Sequence, residues 1–191
     1  MFDINEFKSN IDNRGGFQPN NKFRLLFNAP KLLQAQQTVA EEMRFWMPKV
    51  PIPGVKLKIH AVYRYGYGLI ENKPVAPIFT TMVILVNADA EGKNWKFFKD
   101  WISVICDFNL SSGMTPGNKT YDIPYKSDYV VDMNMVTYDN VGKEIQNIVY
   151  REAYPSMIPD IDHAWVIKNS ITTFPVEITY LDWYTDRTNV Q

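Results

Sequence analysis

A mainly β, antiparallel domain with one amphipathic helix (α+β) is what the sequence predicts, and three stretches carry that prediction. From Phe174 to Tyr180 the chain alternates strictly, Phe174, Val176, Ile178 and Tyr180 against Thr173, Pro175, Glu177 and Thr179, the period of two of a half-buried strand. Around the turn residues Asp139-Asn140 lie two more strand-like runs, Tyr129–Met135 and Lys143–Glu152, which read as a β-hairpin. Over 93–108 the period becomes helical: Trp95, Phe98, Ile102 and Ile105 form one stripe, and Phe97, Trp101, Val104 and Phe108 an adjoining one. So wide an apolar arc must plug one end or cover one face of a sheet. Strands closed over such a helix make an antiparallel β-sandwich or barrel.

Taken in order, Phe2 to Ile11 have loosely helical spacing and end at Gly15-Gly16, an N-terminal arm over 1–16. The first strand is expected at Lys22–Phe27, where Phe23, Leu25 and Phe27 share a face. Residues 30–42 carry mixed helix and strand signals and are longer than a hairpin turn needs. Met43–Gly54 is expected to be a strand broken by Pro48, Pro51 and Pro53 and ended by Pro53-Gly54. Val55, Leu57 and Ile59 then alternate with Lys56, Lys58 and His60 as a sided strand. Residues 60–77 form a long polar and aromatic loop, and loops of roughly 15 residues in a compact domain are usually functional. Ile78–Val86, apolar on both faces in its second half, should be the central strand of the sheet. Asn109–Lys126 is a loop by composition. The hairpin's polar face should bring Asp128, Asp132 and Asn134 near Lys143 and Arg151. In the last strand Pro175 has no N–H for a ladder, which argues for an edge position or a strand start, open to pairing by another chain.

Composition narrows the function classes. Twenty basic against twenty-one acidic residues give a net charge of −1, without the basic field that holds nucleic acid. One cysteine, Cys106, forbids an internal disulfide and fits a reducing compartment, with core packing as its expected role. The N-terminus lacks a signal-peptide pattern and no apolar run approaches ~18 residues, so no membrane anchor is expected. Eleven Tyr and five Trp exceed what a small core needs and suit surfaces that become buried on assembly. Catalytic chemistry has little to start from. His60 and His163 stand outside any ligand spacing, Cys106 has no histidine motif beside it, and the Asp160/Asp162 pair is read as solvated turn formers. No enzyme, cofactor or metal is expected.

Several of these stretches together resemble a known family. The Tyr154-Pro155 turn, the run Thr173-Phe174-Pro175-Val176-Glu177-Ile178-Thr179-Tyr180 and the closing Asp182-Trp183-Tyr184 are similar to the C-terminal end of tail tube proteins of contractile-tail bacteriophages. The Pro19-Asn20 approach to Phe23-Arg24, the helix from Trp95 to Trp101, and Pro53-Gly54 after an apolar stretch add to the resemblance, which spans roughly 17–184. Met47 departs from the small residue or cysteine expected there.

The resemblance implies one tail-tube domain over 1–191 and a structural virion protein. Its subunits would form hexameric rings stacked into a hollow tube whose wall is a continuous inner β-barrel. Phage DNA would pass through the lumen, without sequence-specific binding, during ejection into the host. It implies assembly in the host cytoplasm and residence in the virion tail tube. Partners would be further copies of the chain, the tail sheath protein, the baseplate tube-initiator, the tape measure protein and the tail terminator. It makes 29–42 a candidate insertion and 60–77 an inter-ring loop, with Tyr63, Tyr65, Tyr67 and Glu71 as contact candidates. Pro175, Glu177, Trp183 and Tyr184 are candidates for inter-subunit contact on the last strands. Two alternatives of related fold are a baseplate tube-initiator and a type VI secretion tube protein. From a different class, a small monomeric β-barrel module could bind a ligand through Tyr63, Tyr65 and Tyr67.

Overall fold

The computed structural model describes residues 4, 8–9, 17–63, 68–106, 123–161 and 171–186. The helix expected within 2–11 lies outside these residues except at Ile4, Lys8 and Ser9, as does the loop expected from Asn109 up to residue 122. Eight strands are present: β1 (Phe23–Phe27), β2 (Lys56–Val62), β3 (Glu71–Ile78), β4 (Met82–Asn87), β5 (Val131–Tyr138), β6 (Glu144–Met157), β7 (Thr173–Thr179) and β8 (Asp182–Asp186). Six of them form one antiparallel sheet in the order β1-β5-β6-β7-β4, with β8 also on β6, while β2 and β3 pair only with each other.

The sheet is organised by β6, the longest strand at 14 residues. Its first half pairs with β8 through Asn147–Arg151, and its second half pairs with β7 through Tyr154–Met157. Between them Glu152 takes φ 52°, a conformation that costs an L-residue about 1–2 kcal/mol. Asp132 offsets part of this by accepting the Glu152 N–H at 2.9 Å. The chain leaves β7 at Tyr180, and the Leu181 N–H donates to the Arg151 carbonyl at 3.0 Å as β8 begins. The pairing of β6 is thus handed from one strand to the next at this bend.

The helix α2 (Lys93–Ile105) closes the core against this sheet. Its entry is made by Asp89, whose carboxylate accepts the N–H groups of Lys93 and Asn94, each at 3.0 Å, with Gly92 at φ 71°. Burial pushes the Asp89 carboxyl up, but the N–H groups of Asn94 and Lys93 outweigh it and hold the pKa below its ordinary value. Phe97, Phe98 and Trp101 are fully buried, each worth roughly 1.5–3 kcal/mol of apolar burial. Trp101 packs on Phe27 and stacks on Phe98, and its indole N–H donates to the Tyr129 carbonyl at 2.8 Å. Phe174, Val176 and Ile178 of β7 are buried in the same core, with the Phe174 ring against Phe98, the face that the alternation predicts. Trp95 instead turns outward at 40% exposure, so only part of the apolar arc faces the core.

Four strand expectations are corrected. Residues 43–54 make no strand: Met43–Phe45 is a 3-10 turn, and beyond it only Lys49 bridges to Leu85. The prolines explain this, because a segment short of N–H groups can still give carbonyls, and Trp46 and Lys49 accept from Asn87 and Leu85 at 2.7 and 3.0 Å. β4 consequently ends the sheet, covered by that segment, and is not central. β7 is not an edge strand, since it lies between β6 and β4 with Pro175 opposite Leu85. The Ala88 N–H bonds the Thr172 carbonyl on β7's side and the Leu85 N–H points the other way, to Lys49. By strand alternation the Pro175 nitrogen therefore points away from β4, toward the side where β6 pairing has stopped at Met157. Residues 71–77, expected in a loop, form the strand β3 together with Ile78.

The candidate insertion resolves as helical. A 3-10 turn (Lys31–Gln36) runs into α1 (Gln37–Glu42) and on into the 3-10 turn at Met43, and this run buries Leu33, Ala40 and Met43, one from each piece. Gln37 accepts the Ala29 N–H at 2.8 Å, and Gln36 donates to Asp100 on α2 at 3.0 Å. A short helix, α3 (Lys126–Tyr129), leads into β5.

Candidate assembly surfaces

Four strands, in the order β1-β5-β6-β8, form a curved unit with two unlike faces. Phe27, Met133, Tyr150 and Trp183 make one inward row across it, and Leu25, Met135 and Ile148 a second. The Tyr150 hydroxyl donates to the Pro51 carbonyl at 3.2 Å, and burial raises its pKa so that it stays protonated. The opposite face carries the rows Arg24, Val136, Asn147, Asp186 and Leu26, Asn134, Val149, Tyr184. Here Arg24 lies over the Tyr138 ring, and Arg151 makes a forked ion pair with Asp182. The Arg151 hydrogen bond holds the Asp182 carboxyl below its ordinary pKa. Arg151 thus pairs with Asp182 of β8, while Asp132 of the expected group lies beside it across the β5–β6 register and accepts the Glu152 N–H. Lys143 contributes its backbone carbonyl, accepting from Asp139.

Among the described residues no strand pairs with the outer edge of β1 or of β8. Each is a row of unpaired backbone donors and acceptors that needs a partner or a block. Because β1, β5, β6 and β8 are successively antiparallel, the two edges run in opposite directions.

β2 and β3 form an arm. Leu57, Ile59, Pro77 and Pro74 share one face, since a bulge between Lys58 and Ile59 lets prolines three residues apart both oppose it. The other face carries Lys56, Lys58, His60 and Lys73. Leu57 and Ile59 are 52% and 61% exposed, so among the described residues nothing buries the apolar face of this sided strand. An isolated two-stranded ribbon is marginal in water.

A groove of about 940 Å³ runs beside the outward face of α2. Trp95, Lys99 and Ile102 form its helical wall, Met157, Ile158 and Ile161 the other, and Asp89 and Asp160 stand in its lining.

The predicted contact residues fall on separate surfaces. Tyr63 is exposed just past β2, and Glu71 begins β3 beside Lys73. Tyr65 and Tyr67 lie outside the described residues, as does His163. Pro175 and Glu177 are half-buried on β7, where Glu177 accepts the Thr81 hydroxyl at 2.7 Å. Trp183 packs inward from β8 and Tyr184 is exposed on its other face. Sequence reasoning missed Leu57, Ile59, Trp95 and Ile102 as surface residues. The available signal was the helix's apolar arc, wider than one buried face requires. His60 is exposed on the arm, Cys106 ends α2 half-buried, and no metal-ligand cluster exists among the described residues. No described helix is long and apolar enough to cross a membrane.

Three sets of comparisons bear on these surfaces. No curated protein matches the chain. The fold is similar to a chain of the PVC extracellular contractile injection system's sheath-tube complex in the extended state, at TM-score 0.59, with 10% identity and 97% and 99% of the two chains covered. It is also similar to a chain of that system's sheath/tube terminator, at TM-score 0.59, 11% identity and 88% and 95% coverage. A chain of the anti-feeding prophage baseplate matches at TM-score 0.52, 11% identity and 87% and 93% coverage. At such identities these likenesses speak for the fold. The family model for phage tail tube proteins matches residues 18–186, which takes in the four-stranded unit, the arm and the helix, and the chain therefore belongs to the phage tail tube protein family as a structural tube subunit.

Proposed function

We propose that copies of this chain close into hexameric rings by joining the β8 edge of one subunit to the β1 edge of the next, and that the rings stack into a hollow conduit for phage DNA. The observation that carries this is the pair of free, oppositely running edges on one four-stranded unit. Rotation brings β8 of one copy beside β1 of its neighbour in antiparallel orientation, so every joint repeats the pairing inside the subunit and no edge is left. On the face away from the core, Arg24 on one edge meets the edge that bears Asp182 and Asp186. That face lines the bore. By alternation, and by the register shift that sets Glu144 opposite Tyr138, it carries four carboxylates, Asp132, Glu144, Asp182 and Asp186, against Arg24 and Arg151. DNA is held by basic groups that release counterions, so a bore with acid in excess lets it slide.

Tyr63 and Glu71, at the outer end of the arm, together with Tyr65 and Tyr67, are its contacts to the next ring. Trp183 and Tyr184 serve the joint within a ring, and Pro175 and Glu177 belong to the outer part of the subunit. A tail sheath, a tape measure protein, a baseplate initiator and a terminator are the remaining partners, in a virion assembled in the host cytoplasm.

The test places cysteine at Leu26 and, in turn, at Asp182, Tyr184 or Asp186, all in a Cys106→Ser background. Oxidation at assembling concentrations should give a ladder of cross-linked species ending at a closed hexamer for at least one pair. Rings seen by negative-stain electron microscopy without any ladder would refute β1–β8 closure, and compact monomers at every concentration, even with a cognate baseplate added, would refute the tube.

A further inference from the structure

We infer that a second cavity, at the end of the sheet where β1 begins, binds a small organic carboxylate. It measures about 370 Å³ and lies between the β1–β5 pair and the proline-rich stretch 48–52. The deepest residues of its lining are Val50, Met135 and Thr137, each more than nine-tenths buried. Thr137 stands opposite Phe23 in the β1–β5 ladder, and its hydroxyl oxygen is buried without a hydrogen-bond partner among the described residues. An unpaired buried hydroxyl is costly, so a ligand atom that pairs with it relieves that penalty.

The charged groups of the lining set the sign of the ligand. Lys22 and Lys49 stand in it, Gln18 and Asn20 add amides, and among the described residues no Asp or Glu lines it. Lys22 reaches the Asn140 carbonyl at 2.7 Å, and Lys49 is pinned through its own carbonyl, which accepts the Leu85 N–H at 3.0 Å. Two ammonium groups with no carboxylate between them attract an anion, and the hydroxyl and amide donors complete the hydrogen bonds that a carboxylate accepts. Phe23, Ile52 and Met135 supply apolar wall. That wall suits a ring or short chain larger than the methylenes of an acidic side chain, and so a free organic acid. Bound there, the acid ties the entry of β1 to the 48–52 stretch. The site lies within one subunit and does not depend on how copies join.

The experiment titrates the dispersed chain with benzoate, benzamide and a capped glutamate, followed by ligand-observed NMR. Benzoate should bind saturably with a Kd on the order of 0.1–1 mM, about tenfold tighter than either of the others. Lys49→Gln, at an exposed position, should weaken benzoate about fivefold and leave benzamide unchanged. Thr137→Val, which keeps the shape of the side chain, should weaken both about fivefold. Circular dichroism melts check that each variant is folded. No saturable binding by wild type, or benzamide binding equal to benzoate, overturns the carboxylate site, and so does benzoate binding that neither variant changes. Tightest binding by the capped glutamate overturns the free acid and assigns the pocket to an acidic side chain of a protein partner.

Discussion

Replacing Trp101 by Phe tests whether one indole locks the helix to the sheet domain. The side chain is fully buried among Phe27, Phe97 and Phe98, and its N–H is bonded to the Tyr129 carbonyl at the end of α3. Phenylalanine keeps the ring contacts but leaves that carbonyl without its donor, at a cost of roughly 1–3 kcal/mol. The smaller ring also leaves part of the indole volume empty, which adds about 1–2 kcal/mol. A loss near 3 kcal/mol in a chain of this size corresponds to a fall in Tm of ~6–12 °C. Urea unfolding of dispersed protein, followed by far-UV circular dichroism, reads it directly: the midpoint should fall with the slope unchanged. The outward Trp95→Phe serves as the control and should change stability by less than about 0.5 kcal/mol. A Trp101→Phe loss below about 1 kcal/mol would refute the claim that this bond and ring cluster hold α2 in place.

Asp182→Asn should destabilise at neutral pH only. The folded-state pKa of Asp182 is depressed by Arg151, so its contribution is present above the ordinary carboxylate pKa and is lost as pH falls through the folded value; melting curves of both proteins should converge in acid. Trp183→Phe removes a buried N–H that has no acceptor among the described residues, and stability should hold or rise by up to about 1 kcal/mol in a urea titration. Gly92→Ala meets no atom within 4 Å, so its cost is the positive φ alone, about 1 kcal/mol in the same titration; a loss several times larger would mean that the helix entry is tighter than described.

Where a residue's neighbours are local, the sequence could be read directly. The alternation of Phe174, Val176 and Ile178 reports burial on one face, and the structure buries all three. The β5–β6 hairpin and the helix from Lys93 follow from period and turn chemistry in the same way. Alternation could not say what covers an apolar face, so the sided strand of Leu57 and Ile59 gave no sign that its apolar side would stand exposed on the arm. Pro175 argued for an edge, yet the edge condition is met by its nitrogen alone, facing the stretch where β6 has turned away. The continuous apolarity of β4 suggested a central strand, whereas its outer side is satisfied by carbonyls from a proline-rich segment that periodicity cannot detect. Strand order, and with it the two free edges, depends on contacts remote in sequence and is invisible to any local pattern.

The length of β6 has a mechanical consequence. The same strand is hydrogen-bonded to β8 at one end and, past its bend at Glu152, runs into the Ser156–Met157 lip of the groove. A pull on that lip is carried along peptide bonds to the ladder with β8 and loads its hydrogen bonds in shear, all together, instead of peeling them one at a time. If the rings close as proposed, force entering at the groove would reach the β6–β8 ladder through covalent chain, with no side-chain contact that has to hold on the way.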